Sequence, residues 1–383
     1  YIMTKTIVLK FGGSSIKNKK CIDEMLNIVN HYIDKYDKIV LVFSAFYGIT
    51  NEIVELINHK LNNQTNITNI LLKADVLFDK IEKINNTLSC VNVNQDMNLF
   101  VQTINELTSI NKSNHAKVKD KLLSFGEIVT AKILAKYIQT RIMQNVKYID
   151  SQTIIKTDCN FTNANVMTSC FNTIERYITN LNSKIVVLCG FVGSTMNTNE
   201  TTTLGRGAGD YTACILGNAL KSEIVIYTDV NGIMTADPRI VTNAKSINTI
   251  AVKHAKELAF KGGKVLCDKA LNVCNRDSIL TIKNSFNLSF DGTIIKFKEK
   301  VTNNHKENDH KGNDYNDDCM LAITGLKSVY LYKIVIYDNN STQIEQQIVA
   351  NDNFNNSILF ITYDKITNTK YCYCKSVIDR KST

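Results

Sequence analysis

Short, almost wholly apolar segments constrain the fold of this chain more than any other feature of its sequence. Residues 6–11 read TIVLKF, residues 185–189 read IVVLC, and residues 39–43 and 223–228 are similar. Strands buried on both faces have this continuous apolar pattern, whereas strands with one solvated face alternate. Stretches with helical spacing of apolar residues separate the segments. The sequence therefore predicts an α/β fold, in which helices sandwich a mainly parallel sheet.

Several helices and their ends are also predicted. Apolar residues three and four positions apart indicate a helix at about 17–36 and an amphipathic helix over 122–138. Thr50 is expected to cap a helix at 51–61, because its hydroxyl precedes the periodic apolar residues. Further expected elements are helices around 163–180, 210–220, 253–261 and 264–272, and a glycine-bearing loop over 190–209.

Composition changes near residue 300, and this predicts the domain boundaries. Residues 301–318 are almost wholly polar, as in an exposed linker. We expect a large domain at 1–298, which the resemblance described below implies is catalytic, a linker at 299–318 and a small α+β module at 319–383. The module is expected to have strands near 320–324, 329–337, 357–363 and 370–376 and a helix near 341–350.

The net charge of +9 is not read as a nucleic-acid surface. Lysine, asparagine and isoleucine are abundant, which is typical of an AT-rich genome, and the basic residues are not interleaved with aromatic ones. No apolar run approaches the roughly 20 residues of a membrane span, and no secretion signal is recognised. The 11 cysteines are scattered and no metal site is predicted. We expect a cytoplasmic protein that binds neither nucleic acid nor membrane.

A lysine at the end of the first predicted strand is followed by two glycines. In the sequence Lys10-Phe-Gly12-Gly13, the glycines allow backbone N–H groups to approach a ligand, and the lysine supplies a mobile positive charge. This combination suits phosphate, although the lysine precedes the glycines, unlike in a P-loop. On its own the motif also fits an ordinary turn.

The densest glycine cluster is TTTLGRGAGDYT at residues 201–212, just before a predicted helix. Its alternating glycines allow backbone donors to face an anion at the helix N-terminus. Arg206 can form a forked pair with a carboxylate. Asp210 can orient a lysine or a substrate ammonium, or serve only as a helix cap.

Two further segments combine glycine or proline with a basic residue. In YTDVNGIMTADPR at 227–239, Pro238 restricts the backbone and so directs Arg239. Gly262 and Gly263 precede Lys264 at an expected helix start. Each segment also fits an ordinary turn or helix start.

Together these motifs resemble those of the aspartokinase family. The resemblance covers residues 6–295 and is most specific over 201–239. It implies the amino-acid-kinase fold, and phosphorylation of the L-aspartate side chain by ATP to give 4-phospho-L-aspartate. That reaction opens the biosynthesis of lysine, threonine and methionine. The motifs, in the family's order, are 10–13, 44–50, 126–127, 190–191, 201–212, 228–239 and 257–266.

The resemblance also implies roles for individual residues. Lys10 and Asp210 would be catalytic, with Lys10 on the transferring phosphoryl group. Arg206 would bind the α-carboxylate of aspartate and Glu127 its ammonium, with Ser44 and Thr50 completing that site. ATP, accompanied by Mg²⁺, would contact Lys10, Gly12, Gly13, Thr228, Asp229, Arg239 and Lys264. A homodimer is the expected assembly.

The chain also departs from the family pattern. Met234 stands where a tyrosine often lies near the adenine, and Cys267-Asp268 replaces the usual His-Pro. Residues 319–383 leave room for one reduced ACT-like module instead of two, so we expect weak or absent inhibition by lysine or threonine. The alternatives are another amino-acid kinase, or a catalytically idle homologue that binds aspartate and regulates a partner.

Overall fold

A central, mainly parallel sheet forms the framework of the protein, as the apolar segments predict. The computed structural model describes residues 5–61, 67–89, 91–107, 114–235, 244–260, 266–297, 320–325, 331–337, 358–364 and 369–375. The sheet has the order β3-β5-β2-β1-β8-β10-β11-β9, and its neighbours are parallel except for β10 and β11. Its strands are β1 (Thr6–Phe11), β2 (Lys38–Phe43), β3 (Val146–Ile149), β5 (Ile185–Cys189), β8 (Glu223–Thr228), β9 (Thr249–Ala251), β10 (Leu280–Asn284) and β11 (Thr293–Lys296).

Helices cover both faces of this sheet. Side chains alternate along β1, so Ile7 and Leu9 join the core beneath α1–α5, while Val8 joins the core beneath α6–α10. The helices of the described residues are α1 (Lys19–Ile33), α2 (Ile49–Leu61), α3 (Ile67–Leu88), α4 (Asn94–Glu106), α5 (His115–Arg141), α6 (Ser151–Ile154), α7 (Phe171–Thr179), α8 (Ala208–Leu220), α9 (Val252–Phe260) and α10 (Asp268–Val273).

A second, three-stranded sheet corrects the loop expected over 190–209. It comprises β4 (Lys156–Thr157), β6 (Val192–Thr195) and β7 (Thr201–Thr203), with β6 and β7 antiparallel. The β-branched threonines of β7 favour a strand. The Thr195 N–H donates to the Glu200 carbonyl at 2.9 Å and closes the connection between β6 and β7.

Three expected helix starts are also wrong. Thr50 is not a cap, because Gly48 turns the chain at φ +87° and α2 begins at Ile49. The region 163–167 is not helical, since Ala164 N–H donates to the Thr203 carbonyl at 2.9 Å and α7 begins only at Phe171. Cys267 is extended, so α10 begins at Asp268 and not at residue 264.

The last described segments form a separate four-stranded antiparallel sheet of order β12-β13-β15-β14. The strands lie close to their predicted positions, at β12 (Met320–Gly325), β13 (Leu331–Tyr337), β14 (Ile358–Asp364) and β15 (Thr369–Lys375). The linker expected at 299–318 and the helix expected near 341–350 lie outside the described residues. In the described part of the chain, no helix is both long and apolar enough to span a membrane.

Candidate active site

The carboxyl ends of the central strands meet at one edge of the sheet. Lys10 of β1 is in register with Val42 of β2 and with Ile226 of β8. The chain adds β2 on one side of β1 and later returns to place β8 on the other side. Parallel sheets bind ligands in the crevice beyond such a switch point. Residues that directly follow β1 and β8 therefore line the candidate site.

Lys10 and Asp210 form an ion pair at this edge. The Lys10 Nζ lies 2.7 Å from the Asp210 Oδ1, and the side chains are only 12% and 16% exposed. Asp210 Oδ1 accepts no hydrogen bond, so charge and not a directed bond holds the pair. Asp210 lies in the first turn of α8, whose N-cap Gly207 has φ +77°. The helix N-terminus and the ammonium together suit a phosphate.

Gly209 allows this pair to sit close to the backbone of α8. A Cβ at Gly209 would lie 2.8 Å from the Ser44 Oγ and 3.0 Å from the Lys10 Cε. A Cβ at Gly12 would lie 3.2 Å from the Lys10 Nζ. The structure therefore brings Asp210, Ser44 and Gly12 together around the Lys10 side chain.

Replacing Gly209 with alanine should lower turnover without unfolding the protein. The new methyl group displaces Ser44 and Lys10, while alanine is preferred to glycine within a helix by about 1 kcal/mol. We expect kcat to fall at least about tenfold, because misplacing reacting groups is costly. Steady-state kinetics and a melting curve measure the two effects.

Gly217→Ala in the same helix is the matched control. A Cβ there would lie 2.2 Å from the Ile224 Cγ1, in the core and away from the strand ends. It should lower the melting temperature while the folded fraction keeps its kcat. A Gly209→Ala enzyme with wild-type kcat would contradict the close packing around Lys10.

Glu127 is a buried carboxyl beside the same edge. It lies on α5 and is only 4% exposed, and its Oε2 has no hydrogen-bond partner. Burial raises the pKa of Glu127 to about 8, although the Ala45 N–H and the Lys10 ammonium oppose the shift. The neighbouring Gly126 allows α5 to pack closely against α2, because a Cβ at Gly126 would lie 2.9 Å from the Ile49 Cγ2. A buried carboxylate with a free oxygen suits a cationic partner.

Two other predicted aspartate ligands lie nearby. Thr50 is half-buried in the first turn of α2, the helix that packs against Gly126. Arg206 is exposed in the turn between β7 and α8, four residues before Asp210.

The predicted nucleotide residues are only partly described. Thr228 ends β8, and its hydroxyl donates to the Asp229 carboxylate at 3.2 Å. Thr228 follows Tyr227, which is in register with Phe11, so it lies beside Gly12. Arg239 and Lys264 lie outside the described residues.

The sequence motifs did not indicate several polar residues whose hydrogen bonds join the segments around the site. The Ser15 and Ser285 hydroxyls, both buried, are 2.6 Å apart and join the Gly13 turn to the end of β10. Asp120 is fully buried on α5, and Lys269 of α10 binds backbone carbonyls. Asp120 lies two helical turns before Glu127, and that spacing is the only signal that could have indicated it.

Comparison with known proteins agrees with this geometry. Residues 5–284 match the amino acid kinase family. An aspartokinase of Rickettsia felis is 30% identical over 350 residues, which are 91% of this chain and 75% of that protein. The chain belongs to the aspartokinase family. Another aspartokinase, the lysine-sensitive aspartokinase 3 of Escherichia coli, is 30% identical over 276 residues, or 69% of this chain and 58% of that one.

A solved aspartokinase structure has the same fold. The crystal structure of Escherichia coli aspartokinase III in complex with aspartate and ADP superimposes with a TM-score of 0.66. The match covers 97% of this chain and 79% of that chain, at 23% identity. The amino-acid-kinase fold expected from the aspartokinase motifs is thus confirmed.

Proposed function

We propose that this protein transfers the γ-phosphoryl group of ATP to the side-chain carboxylate of L-aspartate, giving ADP and 4-phospho-L-aspartate. The observation that carries the proposal is the Lys10–Asp210 pair at the N-terminus of α8, 2.7 Å apart, with buried Glu127 beside it. One part of this edge suits a phosphate and the other suits an ammonium. An amino acid that accepts a phosphoryl group needs both.

The chemistry requires positioning and charge neutralisation more than proton transfer. In this reaction a carboxylate oxygen forms a bond to the γ-phosphorus, while the bond from phosphorus to the ADP oxygen breaks. The nucleophile is already ionised, so no general base is needed. Lys10 and the N–H groups at the start of α8 would neutralise the charge that develops on the phosphoryl oxygens.

The aspartate subsite would use four residues. Glu127, once ionised, would bind the substrate ammonium, and Arg206 would form a forked pair with the α-carboxylate. Ser44 and Thr50 would supply hydroxyl groups beside them. Asp210, paired with Lys10, would hold that lysine until the phosphate arrives.

The nucleotide would lie on the β8 side of the switch point. We propose that Gly12 and Gly13 allow the phosphates to approach the backbone, with Thr228 and Asp229 at the nucleoside end. Arg239 and Lys264 are assigned to the nucleotide on the motifs alone. Mg²⁺ would enter as part of the Mg–ATP substrate, held mainly by phosphate oxygens, as is usual for this ion.

A trapping assay tests the function. The protein is incubated with Mg–ATP and hydroxylamine, which converts acyl phosphates into hydroxamates, and added iron(III) forms a coloured complex with them. We expect signal with L-aspartate and none with L-glutamate or N-acetyl-L-glutamate. Signal with glutamate would instead indicate another amino-acid kinase, and no signal with any acceptor would indicate the idle homologue.

The assembly and location follow the family resemblance. We propose a homodimer in the cytoplasm, with residues 319–383 as an ACT-like regulatory module. Among the described residues, the strands β12–β15 pair only with one another in a four-stranded sheet, and this supports a separate module after the catalytic domain.

A further inference from the structure

Lys269 lies outside the residues assigned to substrates, yet its ammonium binds the backbone next to Arg206. The Lys269 Nζ donates to the carbonyl oxygens of Asn163 at 2.8 Å, Ala164 at 3.1 Å and Leu204 at 3.4 Å. Leu204 is two residues before Arg206. One side chain therefore ties the turn at 163–164 to the segment that carries Arg206.

The surroundings of Lys269 hold it in this position. Its ammonium has three donors, and three carbonyl oxygens are available to them. The ammonium also lies 6.0 Å from the centre of the Tyr211 ring, and burial lowers the pKa of Lys269. Its helix, α10, follows Cys267, whose Cβ would lie 3.9 Å from a Cβ at Gly207. Lys269 thus projects from an element that packs directly beside the Arg206 turn.

Asp120 holds the same two segments from α5. Its carboxylate accepts the N–H groups of Thr162 and Thr203, each at 2.9 Å, and the Thr203 hydroxyl at 2.6 Å. Asp120 is fully buried, so these bonds replace its hydration. The Ala164 N–H also donates to the Thr203 carbonyl at 2.9 Å, which joins the segments directly.

The two segments pack directly against each other at Gly205. Gly205 has φ +95°, and a Cβ there would lie 2.5 Å from the Asn163 Oδ1. The Asn163 side chain therefore lies close to the Gly205 backbone, and Arg206 follows Gly205 in the chain. Lys269 and Asp120 therefore bind the two segments that meet at Gly205, directly before Arg206.

We propose that Lys269 is a positioning residue for the amino-acid substrate, which with Asp120 holds the Arg206 turn in the conformation that binds the α-carboxylate. The proposal rests on the proposed function, because it takes Arg206 as the carboxylate ligand. Lys269 acts through Leu204 and Asn163 and does not touch the substrate.

Lys269→Met in the full chain tests this role. The KM for L-aspartate should rise about tenfold, while kcat changes less than about threefold and the KM for ATP is unchanged. Without substrate, amide hydrogen exchange should quicken in peptides covering 158–166 and 201–207, and not in β1 or β2. Lys253→Met, an exposed lysine of α9, is the matched control and should leave both readouts unchanged.

Asp120→Asn provides a second variant if Lys269→Met folds poorly, and it should raise the same KM and the same local exchange. Unchanged KM and exchange in both variants would overturn the proposal. So would equal losses for aspartate and ATP with faster exchange throughout, since these indicate a general loss of stability. Exchange needs no substrate, so failure of wild-type protein to phosphorylate aspartate would overturn the proposed function separately.

Discussion

Replacing Lys10 with alanine should lower kcat for aspartate phosphorylation by about 10³-fold or more. Lys10 is the cation that meets the α8 N-terminus, where the structure places it 2.7 Å from Asp210. Removing one preorganised charge-stabilising group from a transition state typically costs about 10²–10³-fold, and a cation on a transferring phosphoryl group can cost more. The hydroxamate assay under saturating substrates measures the loss.

The fold should survive this change. The pair is mostly buried, so removing Lys10 leaves the Asp210 carboxylate without its counter-charge, and we expect a loss of about 3 kcal/mol in the free energy of unfolding. Lys10→Met should be equally inactive, because it keeps the packing of the side chain and removes only the charge. Lys20→Ala, an exposed lysine on α1, should keep wild-type kcat. A Lys10→Ala enzyme within tenfold of the wild-type kcat would remove Lys10 from the mechanism.

Replacing Glu127 with glutamine should weaken aspartate binding and also stabilise the protein at alkaline pH. The substrate ammonium would lose its buried carboxylate, so the KM for L-aspartate should rise at least about tenfold, with little change in the KM for ATP. Steady-state kinetics with each substrate varied in turn measure this difference. An unchanged KM for aspartate would show that Glu127 does not contact the ammonium.

The pH dependence follows from the raised pKa of Glu127. Burial raises this pKa from 4.5 to about 8, so the folded state disfavours the ionised carboxylate. The contribution of this group to stability is therefore complete below pH 4.5 and is lost as the pH rises towards 8. The loss is on the order of a few kcal/mol. Glu127→Gln removes the group, so its melting temperature should rise relative to that of the wild type between pH 5 and 8, and the difference should level off above pH 8.

The ionisation of Glu127 should also appear in the pH dependence of aspartate binding. Wild-type KM for L-aspartate should fall as the pH rises from 6.5 to 8.5, because in the proposed site only the ionised form of Glu127 would bind the ammonium. In Glu127→Gln this dependence should be absent. Glu55→Gln, an exposed carboxyl on α2, should alter neither the KM profile nor the melting profile. A wild-type profile that is flat over this range would contradict the raised pKa.

Local sequence patterns predicted the elements that bear the site better than the elements that connect them. The strands β1, β2, β5 and β8 lie within one residue of their expected bounds, because buried strands have a continuous apolar pattern. The hairpin of β6 and β7 was expected as a loop. Its strands are short and polar, and they pair through contacts with β4 and Asp120 that no local pattern encodes.

Contacts between distant residues decided the rest of the site. Lys10 and Asp210 are 200 positions apart, and they meet because β1 and β8 are neighbours and α8 begins beside them. Both residues lie in sequence motifs. Only the family resemblance, and not their spacing in the chain, predicted that they act in the same site. Lys269 escaped notice because its partners are backbone carbonyls, which every residue has.

The sequence by itself determined the fold class and the family, since both depend on patterns that are local in the chain: apolar strands and motifs in a fixed order. It also indicated which lysine and glycines end the first strand. Only the tertiary structure decided the environment of each group, because burial and pairing arise when distant segments pack. Glu127 is an ordinary carboxyl in the sequence, and its pKa rises to about 8 only because folding buries it, against the opposing hydrogen bond from the Ala45 N–H.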